Sequence, residues 1–123
     1  MIRLAKLKKG MKIYDLGSGD GRLLVLAEKV GCKAIGFEIN PFLVILSRIR
    51  HLHVEWKNFW KTNLSDADVV FVYLLPWRME KLAAFLTKQL RPGALIVSNS
   101  FIFPDWKILR SDHPNHVYVF RKT

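Results

Sequence analysis

The sequence predicts an α/β fold, a doubly wound and mostly parallel sheet that ends in an antiparallel hairpin. Short apolar runs alternate with amphipathic helical segments, and a glycine-rich turn joins the first run to the first helix. This alternation implies parallel strands joined by right-handed crossovers. Residues 1–123 are assigned to one domain, because the length is close to the commonest domain size.

The element boundaries follow from hydrophobic periodicity and from capping and turn residues. Asn40 and Pro41 are typical of a helix start, and Arg91-Pro92-Gly93 ends the last helix. The remaining residues are predicted to form a hairpin that turns at residues 112–115. The predicted strands are residues 11–16, 34–37, 51–56, 67 or 68 to 75, 94–98, 106–111 and 116–121. The predicted helices are residues 22–30, 41 to about 50, and 76–90.

The turn after the first strand has glycine at every second position, Gly17, Gly19 and Gly21. Glycine permits positive φ and lets the backbone approach a ligand closely. The spacing differs from the G-x-G-x-x-G pattern that holds a dinucleotide pyrophosphate at a helix N-terminus. Asp15 and Asp20 lie beside this turn. Their carboxylates would repel a pyrophosphate, but they suit a cofactor with a cationic amino-acid end.

A third acid, Glu38, ends the second apolar run, where a carboxylate accepts hydrogen bonds from ribose hydroxyls. The glycine turn and the three acids together indicate S-adenosyl-L-methionine as cofactor, with S-adenosyl-L-homocysteine as its product. A tight turn in some other doubly wound fold is the alternative interpretation.

This pattern resembles the class I, seven-strand methyltransferases, which have a Rossmann-like fold, here in a minimal form. Residues 7–22 are similar to the start of compact protein-lysine methyltransferases. That group includes mitochondrial enzymes acting on the adenine nucleotide translocase or an ATP synthase subunit, and broad-specificity archaeal relatives. The mitochondrial members' N-terminal hydrophobic and targeting segments are not seen, so their location does not carry over. The resemblance continues through residues 38–41, 68–74, 90–93, 97–101 and 104–106.

The resemblance implies roles for individual residues. Tyr73, near the end of the fourth strand, is predicted to be catalytic by orienting the nucleophile, and a core tyrosine is the alternative. Since a lysine nucleophile must lose a proton, apolar walls that desolvate it are expected. The predicted cofactor-binding residues are Asp15, Gly17, Ser18, Gly19, Asp20, Glu38, Ile39, Asn58 and Phe59. The predicted substrate residues are Trp77, Ser98, Phe101 and Trp106.

The net charge of +10 is large for 123 residues and leaves the class of methyl acceptor open. A basic surface favours acidic partners such as RNA, although a solvated charged surface is the alternative. The resemblance favours protein lysine, and the charge favours rRNA or tRNA. A cofactor-binding module without activity is disfavoured, because the cofactor positions hold competent residues. The predicted partner is a macromolecular methyl acceptor, with protein favoured over RNA.

The composition indicates the cellular environment of the protein. The longest apolar runs are shorter than a membrane span requires, and no secretory signal is visible. Cys32 is the single cysteine, which excludes a disulfide framework and fits a reducing compartment. His51 and His53 have no cysteine or carboxylate at ligand spacing, so no metal site is predicted. A cytoplasmic protein, monomeric or weakly dimeric, is expected.

Overall fold

Strands and helices alternate along the part of the chain that the computed structural model describes, residues 6–19, 21–72, 79–99, 107–112, 114 and 116–122. The strands are β1 Lys12–Leu16, β2 Lys33–Glu38, β3 Val54–Trp56, β4 Val69–Val72, β5 Leu95–Asn99, β6 Ile108–Asp112 and β7 Val117–Arg121. The helices are α1 Arg22–Val30, α2 Pro41–Ile49 and α3 Met79–Gln89, with a short 3-10 helix at Phe59–Lys61.

The strands form one mixed sheet in the order β3-β2-β1-β4-β5-β7-β6. Strands β1 to β5 are parallel, whereas β7 lies antiparallel between β5 and β6. Side chains alternate across the sheet and divide the core into two layers. Ile13 and Phe71 face the layer that holds α1 and α2, and Leu16 and Val70 face the layer that holds α3.

The strand order reverses at β1, which pairs with β2 on one side and with β4 on the other. Leu16 and Val72, the last residues of β1 and β4, are partners in this register. Open α/β sheets bind ligands in the crevice outside the carboxyl ends of the strands at such a switch point. The topology therefore predicts a ligand site at the segment that follows β1.

The predicted fold class is confirmed, including the parallel order and the antiparallel end, and α1 has the predicted bounds. The predicted strand over residues 51–56 is wrong in its first three positions. His51 has a φ of 62°, and the Leu52 N–H donates to the Ser47 carbonyl oxygen at 3.1 Å. These residues therefore close α2. β5 begins and ends one residue later than predicted, and the 3-10 helix, which Asn58 caps, was not predicted.

Parts of three predicted elements lie outside the described residues. They are residues 73–75 of the fourth strand, residues 76–78 of the last helix, and residue 106 of the hairpin. Asp112, assigned to the hairpin turn, instead ends β6 and is the register partner of Val117.

Candidate functional site

A cleft of about 690 Å³ lies at the carboxyl ends of β1 and β4, the switch point of the sheet. This volume is within the range of small-molecule and cofactor sites. The glycine turn, the first turns of α1 and α2, and the ends of β4 and β5 build its walls. The lining residues are Asp15, Gly17, Ser18, Gly19, Arg22, Leu23, Leu43, Phe71, Val72 and Asn99.

The glycine turn has the left-handed backbone that its sequence predicted. Gly17 and Gly19 have φ values of 78° and 60°. Among the described residues, a Cβ atom built on Gly17 or Gly19 would meet no atom within 4 Å beyond the adjacent residues. The Gly17 N–H donates to the Phe37 carbonyl oxygen at 2.9 Å, which holds the turn against β2. The turn thus presents bare backbone to the cleft.

Gly36 in β2 makes room for this turn. This role was not predicted from the sequence. A Cβ atom at Gly36 would lie 2.5 Å from Ser18 Cβ and 2.8 Å from Leu24 Cδ1. Both contacts are closer than side chains pack. A glycine inside a strand often marks a close approach of another segment, so the signal was present in the sequence.

Glu38 ties the end of β2 to the glycine turn. Its Oε1 accepts the Gly19 N–H at 2.8 Å, while Oε2 accepts the N–H groups of Ile39 and Asn40 at 3.0 and 2.9 Å. A carboxylate oxygen can accept two hydrogen bonds. Among the described residues, Oε1 accepts this single N–H and keeps capacity for a hydroxyl donor.

Asp15 brings a second carboxylate to the same face of the sheet. Its side chain is buried, and this burial raises the pKa of the carboxyl to about 7, with the negative charge of Glu38 adding to the effect. A buried group with a perturbed pKa in a cleft is typical of a functional site. A cation placed beside Asp15 would stabilise its ionised form.

Two other features of the cleft are polar. The hydroxyl of Ser18 is buried and has no hydrogen-bond partner among the residues that the structure describes. Arg22 lines the cleft at the first position of α1. The described lining therefore includes a basic side chain, a buried acid and a buried hydroxyl close to a left-handed turn, which suits a polar ligand.

The remaining predicted site residues, Ser98 apart, fall into three groups. Asn58 and Phe59 do not line the cleft: the Asn58 side chain accepts the Trp60 N–H, and the Phe59 ring packs on Trp60 in the α3 layer. Ile39 is exposed. Their cofactor roles stay predictions. The predicted site residues outside the described part of the chain are Asp20, Tyr73, Trp77, Phe101 and Trp106.

Ser98, predicted to contact substrate, is fully buried between β4 and β7. The next residue, Asn99, lines the cleft instead. The other lining residues that were not predicted are Arg22, Leu23, Leu43, Phe71 and Val72. Their positions at strand ends and in first helical turns were available from the sequence, but no motif marks them.

A basic groove of about 310 Å³ lies at the opposite, amino end of the parallel strands. The carboxylate of Asp68 in this groove accepts the Lys12 N–H at 2.8 Å and forms an ion pair with Arg91. Strands of this length place the groove roughly 15 Å from the cleft, at about 3.3 Å per residue. The charged residues that line the groove are Lys6, Lys8, Asp68, Arg91, Arg110 and Arg121.

Comparison with known proteins agrees with this architecture. The family model of the ANTKMT methyltransferase domain matches residues 15–110, which include the glycine turn, Glu38 and the strands that flank the cleft. The chain belongs to this family. It is 31% identical over 126 residues to the ATP synthase c-subunit lysine N-methyltransferase of Xenopus laevis, covering 96% of this chain and 53% of that protein. The chain thus spans about half the length of this relative and of its human counterpart.

Two further relatives are covered more fully. A protein-lysine N-methyltransferase of Saccharolobus islandicus is 35% identical over 116 residues, which are 86% of this chain and 72% of that protein. The crystal structure of an RNA methyltransferase from Salinibacter ruber, in complex with S-adenosyl-L-homocysteine, matches with a TM-score of 0.88 and 34% identity. It covers 99% of this chain and 86% of that chain.

A more distant structure shows the fold alone. The TehB-like methyltransferase from Corynebacterium glutamicum has a TM-score of 0.74 at 18% identity, over 98% of this chain and 86% of that chain. The fold is therefore that of the class I methyltransferases. No helix in the described part of the chain is long and apolar enough to cross a membrane.

Proposed function

We propose that this protein transfers a methyl group from S-adenosyl-L-methionine to lysine side chains of other proteins. The observation that carries the proposal is a pair of buried carboxylates at the left-handed glycine turn: Asp15 lines the switch-point cleft, and Glu38 accepts the Gly19 N–H. Relatives named protein-lysine N-methyltransferases support the choice of acceptor.

The residues present fit the cofactor. Asp15 would hold the ammonium group of its methionine end, and Arg22 also lines the cleft. Glu38 Oε1 would accept a ribose hydroxyl. Gly17 and Gly19 carry no side chain of their own that would fill the space above the turn. The bound cofactor supplies an electrophilic methyl group on a sulfonium ion, so the protein's task is to orient the acceptor and exclude water.

The acceptor amine must be neutral to attack, although the ordinary pKa of lysine is about 10.4. Apolar walls lower that pKa, because burial disfavours the ammonium form. Leu43, Phe71 and Val72 give the cleft such walls next to the polar turn. The orienting role of Tyr73 and the substrate roles of Trp77 and Phe101 stay predictions, as do a cytoplasmic location and a monomeric or weakly dimeric state.

RNA is the second candidate acceptor. The Salinibacter ruber relative is named an RNA methyltransferase, and the basic groove offers cations for phosphate contacts. The groove, however, lies at the far end of the strands, roughly 15 Å from the cleft by strand rise. An RNA bound there would have to extend around the sheet to reach the transfer site. The geometry therefore favours protein lysine.

Incubation of the protein with cofactor labelled in its methyl group and with a cell extract tests the assignment. We expect labelled product that protease removes and ribonuclease leaves, with an Asp15→Asn variant as the control that fails to bind cofactor. Label that resists protease and disappears with ribonuclease would overturn the lysine assignment in favour of RNA. The absence of binding to S-adenosyl-L-homocysteine would overturn methyl transfer itself.

A further inference from the structure

The outer face of α2 is apolar although it faces solvent. Phe42 and Ile49 are 80% and 69% exposed, and Ile45 and Leu46 are also exposed. At about 100° per residue, these positions cover an arc of roughly 100° on one side of the helix. Soluble surfaces seldom carry so continuous an apolar face without a partner.

Two residues outside the helix extend this face. Ile39 directly precedes the α2 cap and is exposed, as is Trp56 at the end of β3. The Trp56 indole N–H donates to the Ile39 carbonyl oxygen at 3.0 Å, so the ring lies against the start of α2 with its polar atom satisfied. The α2 strip, as we define it, consists of Ile39, Phe42, Ile45, Leu46, Ile49 and Trp56.

The charges around the α2 strip are positive. The helix contains no acid, and the exposed Arg48, whose Nε donates to the Val54 carbonyl oxygen at 3.2 Å, lies beside the strip by helical spacing. Of the acids close in sequence, Glu38 is buried. Glu55 pairs with Lys57 at 3.0 Å, and strand alternation points it to the sheet face opposite α2. A partner must therefore be apolar at its centre and anionic at its edge.

This requirement distinguishes two possible partners for the strip, a second copy of the chain and a membrane surface. A second copy of the chain would bring the Arg48 side chains of two strips together, and each copy carries a net charge of +10. A membrane surface with anionic headgroups complements both features, because apolar and aromatic side chains enter the headgroup boundary while cations meet the lipid phosphates. We propose that the α2 strip docks the protein on an anionic lipid membrane surface.

Docking on this face has a consequence for the cleft. Leu43, on the inner side of α2, lines the cleft, so the strip and the cleft wall belong to the same helix. The cleft is thereby held beside the membrane surface. The inference does not depend on methyl transfer, since it rests on exposure and charge alone.

Sedimentation with lipid vesicles tests the proposal on the full chain. We expect binding to vesicles of phosphatidylglycerol mixed with phosphatidylcholine, and at least about tenfold weaker binding to phosphatidylcholine alone. Phe42→Ser with Ile49→Ser should weaken binding to the anionic vesicles by at least about tenfold. Ile108→Ser, an exposed isoleucine on β6, is the matched control and should bind as the wild type does.

Folding of the double variant is checked by its melting temperature and its affinity for S-adenosyl-L-homocysteine, neither of which should change. A blue shift of tryptophan emission on vesicles, absent in Trp56→Phe, would place the strip in the lipid. Equal vesicle binding by the double variant and the wild type would overturn the proposal, because the basic groove would then suffice. Dimerisation that the double variant abolishes, without vesicle binding by the wild type, would overturn it in favour of a second copy.

Discussion

An aspartate lies at each end of the parallel strands, and the two carboxyl groups differ in their burial and in their partners. At the amino end, Asp68 is half-buried and satisfied, since it accepts the Lys12 N–H and pairs with Arg91. At the carboxyl end, Asp15 is buried, and the pKa of its carboxyl is raised to about 7 by burial and by the nearby charge of Glu38. Both acids adjoin the same central strand, yet of the two only Asp68 pairs with a cation among the described residues.

This difference separates a structural acid from a functional one. Asp68 links the starts of β1 and β4 to the segment before β5, so its bonds contribute to the fold. Asp15 costs stability in the free protein, and a cationic ligand would offset that cost. Under the proposed function, the buried Asp15 therefore belongs to the cofactor end of the sheet.

The largest expected effect is at the glycine turn. Gly19→Val should weaken binding of S-adenosyl-L-homocysteine by more than about a hundredfold, because the side chain fills the space that the backbone leaves open. Calorimetry measures the affinity. Gly93→Val is the control, since Gly93 also has positive φ and open space but lies in the basic groove. If both variants bound the ligand like the wild type, the turn would not be the binding surface.

The next effect is at Glu38. Glu38→Gln should weaken the same binding by about 1–3 kcal/mol, because one acceptor oxygen near the ribose is replaced by a donor. Glu55→Gln, at a half-exposed carboxylate paired with Lys57, should leave affinity unchanged. Equal affinities for the two variants would contradict the ribose role of Glu38.

A smaller effect, on stability, is expected at Gly36. Gly36→Ala should lower the free energy of unfolding by about 1–3 kcal/mol, because its methyl group meets Ser18 Cβ. Denaturant unfolding measures this loss. The double variant Gly36→Ala with Ser18→Gly should recover part of it by removing that contact. An absence of recovery would show that the strain lies at Leu24 instead.

The smallest effect is expected at the amino end. Arg91→Gln should change the free energy of unfolding by less than about 1 kcal/mol, because its pair with Asp68 is solvent-exposed. Affinity for S-adenosyl-L-homocysteine should be unchanged. A large loss of affinity in this variant would show that the two ends of the sheet are coupled.

Much of this architecture was readable from local sequence. The alternation of apolar runs and helical faces predicted the fold, and Gly17, Gly19 and Glu38 predicted where the cleft lies. Asn58 and Phe59 illustrate the limit. The Asn58 side chain caps the 3-10 helix, and the Phe59 ring packs on Trp60 in the α3 layer. The lining position of Asn99 depends on contacts between distant segments, which no local pattern encodes, whereas Gly36 inside a strand was a signal that went unused. The exposure of α2 was likewise invisible, since an apolar helix reads as a buried one.

The most direct test of the account is the pH dependence of ligand affinity at Asp15. Below pH 7 this carboxyl is protonated in the folded protein, and above pH 7 it is ionised and attracts the ligand's ammonium group. Wild-type affinity for S-adenosyl-L-homocysteine should therefore rise between about pH 6 and pH 8, by up to about tenfold per pH unit below the pKa. Asp15→Asn should bind weakly at every pH in this range.

The same variant reports on its own folding. The unfolded carboxyl ionises near its ordinary pKa of 3.8, whereas burial raises the pKa of the folded carboxyl to about 7. The stability of the wild type therefore falls as the pH rises from about 3.8 to about 7. Asp15→Asn lacks this loss and should melt at a higher temperature than the wild type above pH 7. A wild-type affinity that is flat with pH and equal to that of Asp15→Asn would contradict the claim that this buried acid holds the cofactor.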